Sequence, residues 1–478
     1  MLYNQRAMKW VYYFLFFLVP LILTPLNYEL FEFNKMLLVY ILAAAALIFS
    51  LTKSFIQQRS IFHRTPLDIP IFLYLSSHIL SSITSIDLHV SLYGYYSRFN
   101  EGLLATISYI ILYYCLVANF SWKEVLKFLK ISFLSALLVS LYGIAEHFGI
   151  DKEYWVQDVQ NRVFSTLGQP NWLAAYLAIL IPIAFSLYIL SSHRIKKPFL
   201  LLVTLLFYLT LLYTKSRSGF IGVWIGLLIF WAVTIKNKVG VKPLLYGLSG
   251  FLLITIIIGS PFNSTQPIKT APVVDRLEQG GTESGEIRKI VWKGALNIWQ
   301  GSQKNFWLGS GVETFAFSYY QYRPQEHNLV SEWDFLYNKA HNEYLNLLAT
   351  TGLIGLTSYL LFIIFFLILC IRTFLKSKDL LLIGLSMGWL TILVTDFFGF
   401  SVVPVAIYFF LIPAFFVIKT QAVTGIKPEI NNKKKFVLKI VSVALFFFTL
   451  FFIGKIWLAD YRPYPYDPAI AYCMRRFQ

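Results

Sequence analysis

Three arginines and a histidine stand beside apolar runs where a hydrophobic chain has no need of them. In TKSRSG the turn between two such runs is so tight that Arg217 must lie near the level at which they end. A helix starting at about Ser218 would leave free N–H groups there. A positive helix terminus beside a planar, five-donor guanidinium suits a phosphate or diphosphate; the plainer alternative is that Lys215 and Arg217 anchor the hairpin at an interface. GEIRKIVWKGALNIWQ supplies a second candidate, Arg288, and NRVFSTLGQPNWLAAYL a third, Arg162, just ahead of a Gly-Gln-Pro-Asn turn. Arg98, in GYYSRFNEG, is a weaker fourth.

NKAHNEYLNLLATTGLIGL places His341 directly before another apolar run. Near neutral pH an imidazole is the side chain best suited to accept a proton from a hydroxyl. Helical spacing sets His341 on the side of Leu345 and Leu348, pointing inward, with Asn342 and Glu343 available to cap the helix or orient the ring. A histidine at a helix start is also an ordinary structural hydrogen-bonder; its company of inward-facing arginines on one side is what favours chemistry. Asp396, in LVTDFFGF, sits at the end of a later run. A carboxylate costs roughly 3 kcal/mol at mid-bilayer and less near the interface, so it is expected to pair with one of the arginines.

The elements that must position these groups are membrane helices. The chain has 478 residues, 57% apolar and only 14% charged, and apolar runs recur along its whole length without the alternation of barrel strands. The reading is an all-α polytopic membrane protein of about 12–13 transmembrane helices. The spans fall near 10–26, 35–52, 68–85, 101–119, 128–148, 170–190, 199–213, 219–235, 243–259, 342–371, 380–398, 404–418 and 437–458. The first is expected to be a retained anchor, since it holds Pro20 and Pro25 and lacks a small-residue cleavage site.

Net charge is +17, a balance that would fit a nucleic-acid binder if it were gathered on one surface. Instead the lysines and arginines of the short connections concentrate on the side that holds the N-terminus. The positive-inside rule then puts the N-terminus in the cytoplasm and the C-terminus outside, and anionic lipid accounts for the excess. One connection stands apart, an external polar loop over 260–341, and loops of that length are usually functional. Within it, 286–300 reads as an amphipathic helix at the membrane surface. Lys289, Lys293 and Asn297 share one stripe, and Ile287, Val291, Trp292, Ala295, Ile298 and Trp299 form an apolar arc. Arg288 falls in that arc, either snorkelling to water or turned toward the bundle to meet an anion. Three cysteines form neither a disulfide framework nor a metal cluster, and no internal repeat is visible.

Taken in order, RVFSTLGQPNWLAAYL, TKSRSGFIGVWIG, IRKIVWKGALNIWQ with FWLGSGVETF, and AHNEYLNLLATTGLIGL resemble the O-antigen ligase and polymerase superfamily. The resemblance covers about residues 160–360. It implies a C-type glycosyltransferase-like membrane fold acting on polyprenyl-diphosphate-linked glycans at the outer face of the cytoplasmic membrane, with no cofactor, nucleotide sugar or metal. By motif, Arg217 and Arg288 would bind the donor diphosphate and His341 would activate the acceptor (a glycan, lipid or protein), while Asp396 matches only by its place late in the chain. The position of Arg162 in its loop adds it as a further donor contact, and Asn342 and Asp396 are expected to act from behind. The implied organisation is N-terminal helices over 1–160, the ligase-related region with its loop over 161–420, and a last helix with a short external tail over 421–478. That C-terminus departs from typical ligases, which end in the cytoplasm. The rival reading is a secondary transporter of a small anionic or sugar-like solute. It would show paired repeats, interrupted helices and ionisable groups at mid-membrane, whereas the unusual polar residues here gather at one boundary.

Overall fold

A computed structural model describes residues 2–27, 29–57, 63–96, 99–155, 157–236, 241–262, 284–422, 424–425, 447 and 449–458. Arg98, most of the 423–446 linker, the start of the 260–341 loop and the tail beyond Leu458 lie outside the described residues.

In hydrocarbon each N–H must be satisfied within its own segment, and the apolar runs do so as helices. Before the large loop these are α1 (Leu2–Leu21), α2 (Glu32–Gln57), α3 (Asp68–Ile83), the short α4 (Leu88–Tyr93), α5 (Leu103–Asn119), α6 (Trp122–His147), α7 (Pro170–Leu190), α8 (Lys196–Tyr213), α9 (Arg217–Lys236) and α10 (Val241–Ile258). The loop holds α11 (Ser284–Gln300), α12 (Gln303–Leu308) and α13 (Phe315–Tyr322). It is followed by α14 (Glu343–Lys376), α15 (Leu380–Phe397) and α16 (Val403–Thr420), and by the helix Thr449–Leu458. Among the described residues, 9 helices are long and apolar enough to cross a membrane, with Asp68–Ile83, Leu103–Asn119 and Thr449–Leu458 as shorter apolar helices. Among the described residues, strand is confined to a two-residue pairing of His63–Arg64 with Thr424–Gly425.

A helix apolar on every side belongs in the interior. α7 is that helix, with 89% of its apolar window buried, and it packs against α8, α9 and α15. Its entry is held from outside the helix. Lys35 Nζ donates to the carbonyls of Ile22 (3.0 Å), Phe31 (3.2 Å) and Thr166 (2.9 Å), clamping the turn that leads to Gln169. Glu146 accepts from the N–H groups of Phe164 (3.1 Å) and Ser165 (2.7 Å), which fixes the segment carrying Arg162.

The loop has a core of its own. Ile287, Val291, Ala295 and Ile298 of α11 are buried against Phe315, Tyr319, Tyr337, Ala340 and Ala349, while Lys289 and Lys293 are exposed. The amphipathic pattern is as expected, but its apolar arc is used up inside the protein rather than laid on lipid, because α13 and the start of α14 supply the opposing surface. α14 is also not continuous: Gly352 has φ 67° and ψ −168°. The loop docks at that break, where Ser310 N–H donates to Ala349 O (3.0 Å) and Gly311 N–H to Thr350 O (2.9 Å). The approach is so close that a Cβ on Gly309 would lie 2.1 Å from the Thr350 carbonyl carbon, and one on Gly352 would lie 2.4 Å from that of Trp307.

Candidate functional site

Arg217 is the first residue of α9, held there by a polar turn. Thr214 Oγ1 accepts from Ser216 N–H (3.1 Å), and Ser216 Oγ accepts from Gly219 N–H (3.3 Å). The remaining first-turn N–H groups face the same end as the guanidinium. The Arg217 guanidinium lies 5.7 Å from the Phe262 ring centroid. Arg162 approaches from the loop before α7, and its Nε donates to the Thr214 carbonyl at 3.1 Å. That bond terminates α8, so part of this guanidinium's capacity is structural, which its sequence context did not show.

Arg288 projects from α11 into a pocket shared with His341 and lined also by Gln169, Asn171, Trp172, Ser218, Thr395 and Phe400. Its volume of about 20 Å³ holds roughly one water. Among the described residues Arg288 makes no hydrogen bond or ion pair. Burial pulls its pKa down; Tyr337 and Glu332 oppose that, and Arg217 adds to it. Burial likewise lowers Arg162, and Arg288 lowers it further. Three guanidiniums from three separate elements are thus held within reach of one another's fields, an arrangement that repels itself unless an anion joins it.

His341 reaches this pocket by a different route from the one its spacing suggested. α14 starts at Glu343, with Asn342 as N-cap, so His341 precedes the helix and has no helical face. Its backbone is left-handed, φ 51°, and that turn directs the ring into the pocket. The imidazole packs edge-on against Tyr337 (centroids 5.6 Å apart) and Phe400 (5.3 Å). Asn342 uses its side-chain oxygen to cap Leu345 N–H at 3.0 Å, so it acts on the helix start and not on the ring.

Among the described residues, Asp396 pairs with no arginine. It is buried in a second small cavity, of about 30 Å³, together with Glu101, Glu343, Tyr74, Tyr109 and Ser401. The end of α15 separates the two cavities: Thr395 lines the arginine side and Asp396 the acidic side. The helix register therefore sends the carboxylate away from Arg162, Arg217 and Arg288. Among the described residues, no cluster of three His, Cys, Asp or Glu side chains is arranged to hold a metal ion. Sequence reasoning missed Gln169, whose buried Oε1 has no hydrogen-bond partner among the described residues though the side chain lines the arginine pocket. The turn signal of Gly-Gln-Pro-Asn was legible, but nothing in it marked the glutamine side chain. It missed too the buried Lys339, with Glu101 and Glu313, which join residues far apart in the chain.

Residues 199–360 match the family model described as O-Antigen ligase, a likeness that covers less than half of the chain and supports a relation to the O-antigen ligase-related superfamily and a membrane glycan-ligating or polymerising function. The match runs from α8 into α14 and includes Arg217, Arg288 and His341; Arg162 and Asp396 lie outside it. No curated protein matches the chain.

Proposed function

We propose that the protein is a membrane glycosyltransferase that moves a glycan from a polyprenyl diphosphate to an acceptor hydroxyl at the outer face of the cytoplasmic membrane. The observation that carries this reading is the convergence of Arg162, Arg217 and Arg288, with His341 in the same pocket as Arg288. The arginines hold the diphosphate by charge-assisted hydrogen bonds. The acceptor oxygen attacks the anomeric carbon, its proton passes to His341, and the bond from that carbon to the diphosphate oxygen breaks with its electron pair on the leaving group. Configuration inverts. The departing charge is already spread over the diphosphate, so the chief demand is for fixed positive groups around it. A neutral imidazole within reach of the hydroxyl would add about 10²- to 10⁴-fold.

The interruption in α14 does not support a transport pathway. Its carbonyls at Ala349 and Thr350 are taken by the loop backbone and do not line a route for solute.

The test is purified protein in lipid, supplied with a polyprenyl-diphosphate glycan and an acceptor. Wild type should transfer glycan and release polyprenyl diphosphate. Wild-type transfer should fall on acidification, since an imidazolium cannot accept the proton; His341→Ala should keep donor binding and lose both transfer and that acidic limb. Full transfer per folded His341→Ala molecule from about pH 5.5 to 8 would remove the base assignment. Loss of the arginines without any change in donor binding would remove the site.

A further inference from the structure

Two residues before His341, Lys339 carries an ammonium sealed from water, its side chain 2% exposed. Its Nζ donates to Glu101 Oε2 and to Glu313 Oε1. Glu101 belongs to the turn before α5, and Glu313 follows the glycines that dock on α14. The bridge therefore ties three segments remote in sequence. Asn346 reinforces it: its Oδ1 accepts from Ala340 N–H (3.3 Å) and its Nδ2 donates to Glu101 Oε2 (3.4 Å). Lys339, Ala340 and Asn342 are thus each tied by a side-chain contact, and between them His341 holds a left-handed backbone, φ 51°, a conformation that the surrounding structure must support. Glu313 is left-handed as well, φ 61°. Lys339 Nζ also stands 6.0 Å from the Phe400 ring centroid, the ring against which His341 packs.

A buried ion pair is weak evidence for stability, because well-packed apolar residues of similar volume often do as well. What this one supplies is a geometry. We infer that Lys339 is a positioning residue for His341: the Glu101–Lys339–Glu313 bridge holds the segment entering α14 so that the imidazole meets the acceptor hydroxyl. The inference rests on the reading of His341 as the base.

It is tested with the combined variant Glu101→Gln/Lys339→Met/Glu313→Gln, which removes the ammonium together with the two carboxyl groups it bridges, so that neither is left as a buried acid facing a missing partner. Folded amount, binding of a polyprenyl-diphosphate glycan, and transfer at saturating donor are scored separately, beside His341→Ala. The expected result is unchanged donor affinity with kcat lower by about 10- to 100-fold, the penalty of a misplaced reacting group. Should that variant fail to fold, Lys339→Arg, which keeps the charge but cannot hold both carboxyl groups at the same positions, gives the same readout. Wild-type kcat in the folded variant overturns the inference, as does a parallel loss of donor binding and transfer, which would mark a general structural role. An active His341→Ala defeats the base reading itself; an inactive His341→Ala beside a fully active bridge variant defeats the positioning role alone.

Discussion

Arg288, which among the described residues makes no ion pair, lines a half-closed pocket, and a guanidinium placed so is useful only if its shape is used. Arg288 and Arg217 both present planar forks that an ammonium cannot reproduce. Arg288→Lys and Arg217→Lys are accordingly expected to bind donor more weakly and to lose transfer by about 10²-fold, equivalent to about 2.7 kcal/mol. Donor titration with single-turnover transfer measures both, and wild-type behaviour of either variant would reduce that residue to an interface anchor. Both positions were legible because a cation at the edge of an apolar run conflicts with its local pattern. The direction of His341 was not. Its spacing to Leu345 assumes that the helix already includes it, and only the Asn342 cap and the left-handed turn show otherwise. Asp396 was misdirected for a related reason: an acid at a helix end has two pockets within reach, and the choice belongs to the register of α15 against its neighbours.

The loop that bears Arg288 is held to the bundle by backbone contact at Gly309–Gly311 and by the Lys339 bridge. Gly309 has φ 72° and no room for a side chain, so Gly309→Ala should separate the loop from the break in α14. Left-handed strain alone costs about 1–2 kcal/mol, and the clash adds to it. The expected outcome is faster proteolysis of the 284–341 segment and reduced transfer in protein whose helical content is unchanged. The bridge adds a dependence on pH. Burial pushes the Glu313 carboxyl up to about 8 from 4.5, against the pull of Lys339. Between those values the folded chain holds more protons than the unfolded one, so stability falls as pH rises. Heat stability should decline from about pH 5 to 8, and Glu313→Gln, which cannot ionise, should flatten that decline. The helices and the amphipathic pattern of α11 could be read from periodicity. The docking could not, because glycine in FWLGSGVETF marks a need for close approach without saying what approaches.

At the scale of the whole molecule, the question is which side of the membrane the arginine pocket faces. Arg217, Arg288 and His341 lie at one end of the bundle, near the starts of α7, α9 and α14 and the end of α15. Lys196, Lys197, Lys236, Lys376 and Lys378 lie at the opposite helix ends. Basic residues flanking short connections are retained on the cytoplasmic side, so the pocket should open outward, the side that the proposed lipid-linked donor requires. The acidic cavity and the Lys339 bridge share the pocket's end and do not alter this inference, since acidic groups contribute little to orientation. Single cysteines placed at the exposed Lys289, Lys236 and Lys376, in a chain whose own cysteines have been replaced, report the orientation directly. A membrane-impermeant maleimide added to intact cells should label position 289 and leave 236 and 376 unmodified until the membrane is permeabilised. Labelling of 236 or 376 in intact cells, with 289 protected, would place the pocket in the cytoplasm and would exclude an outer-face lipid-linked donor, whatever the arginines bind.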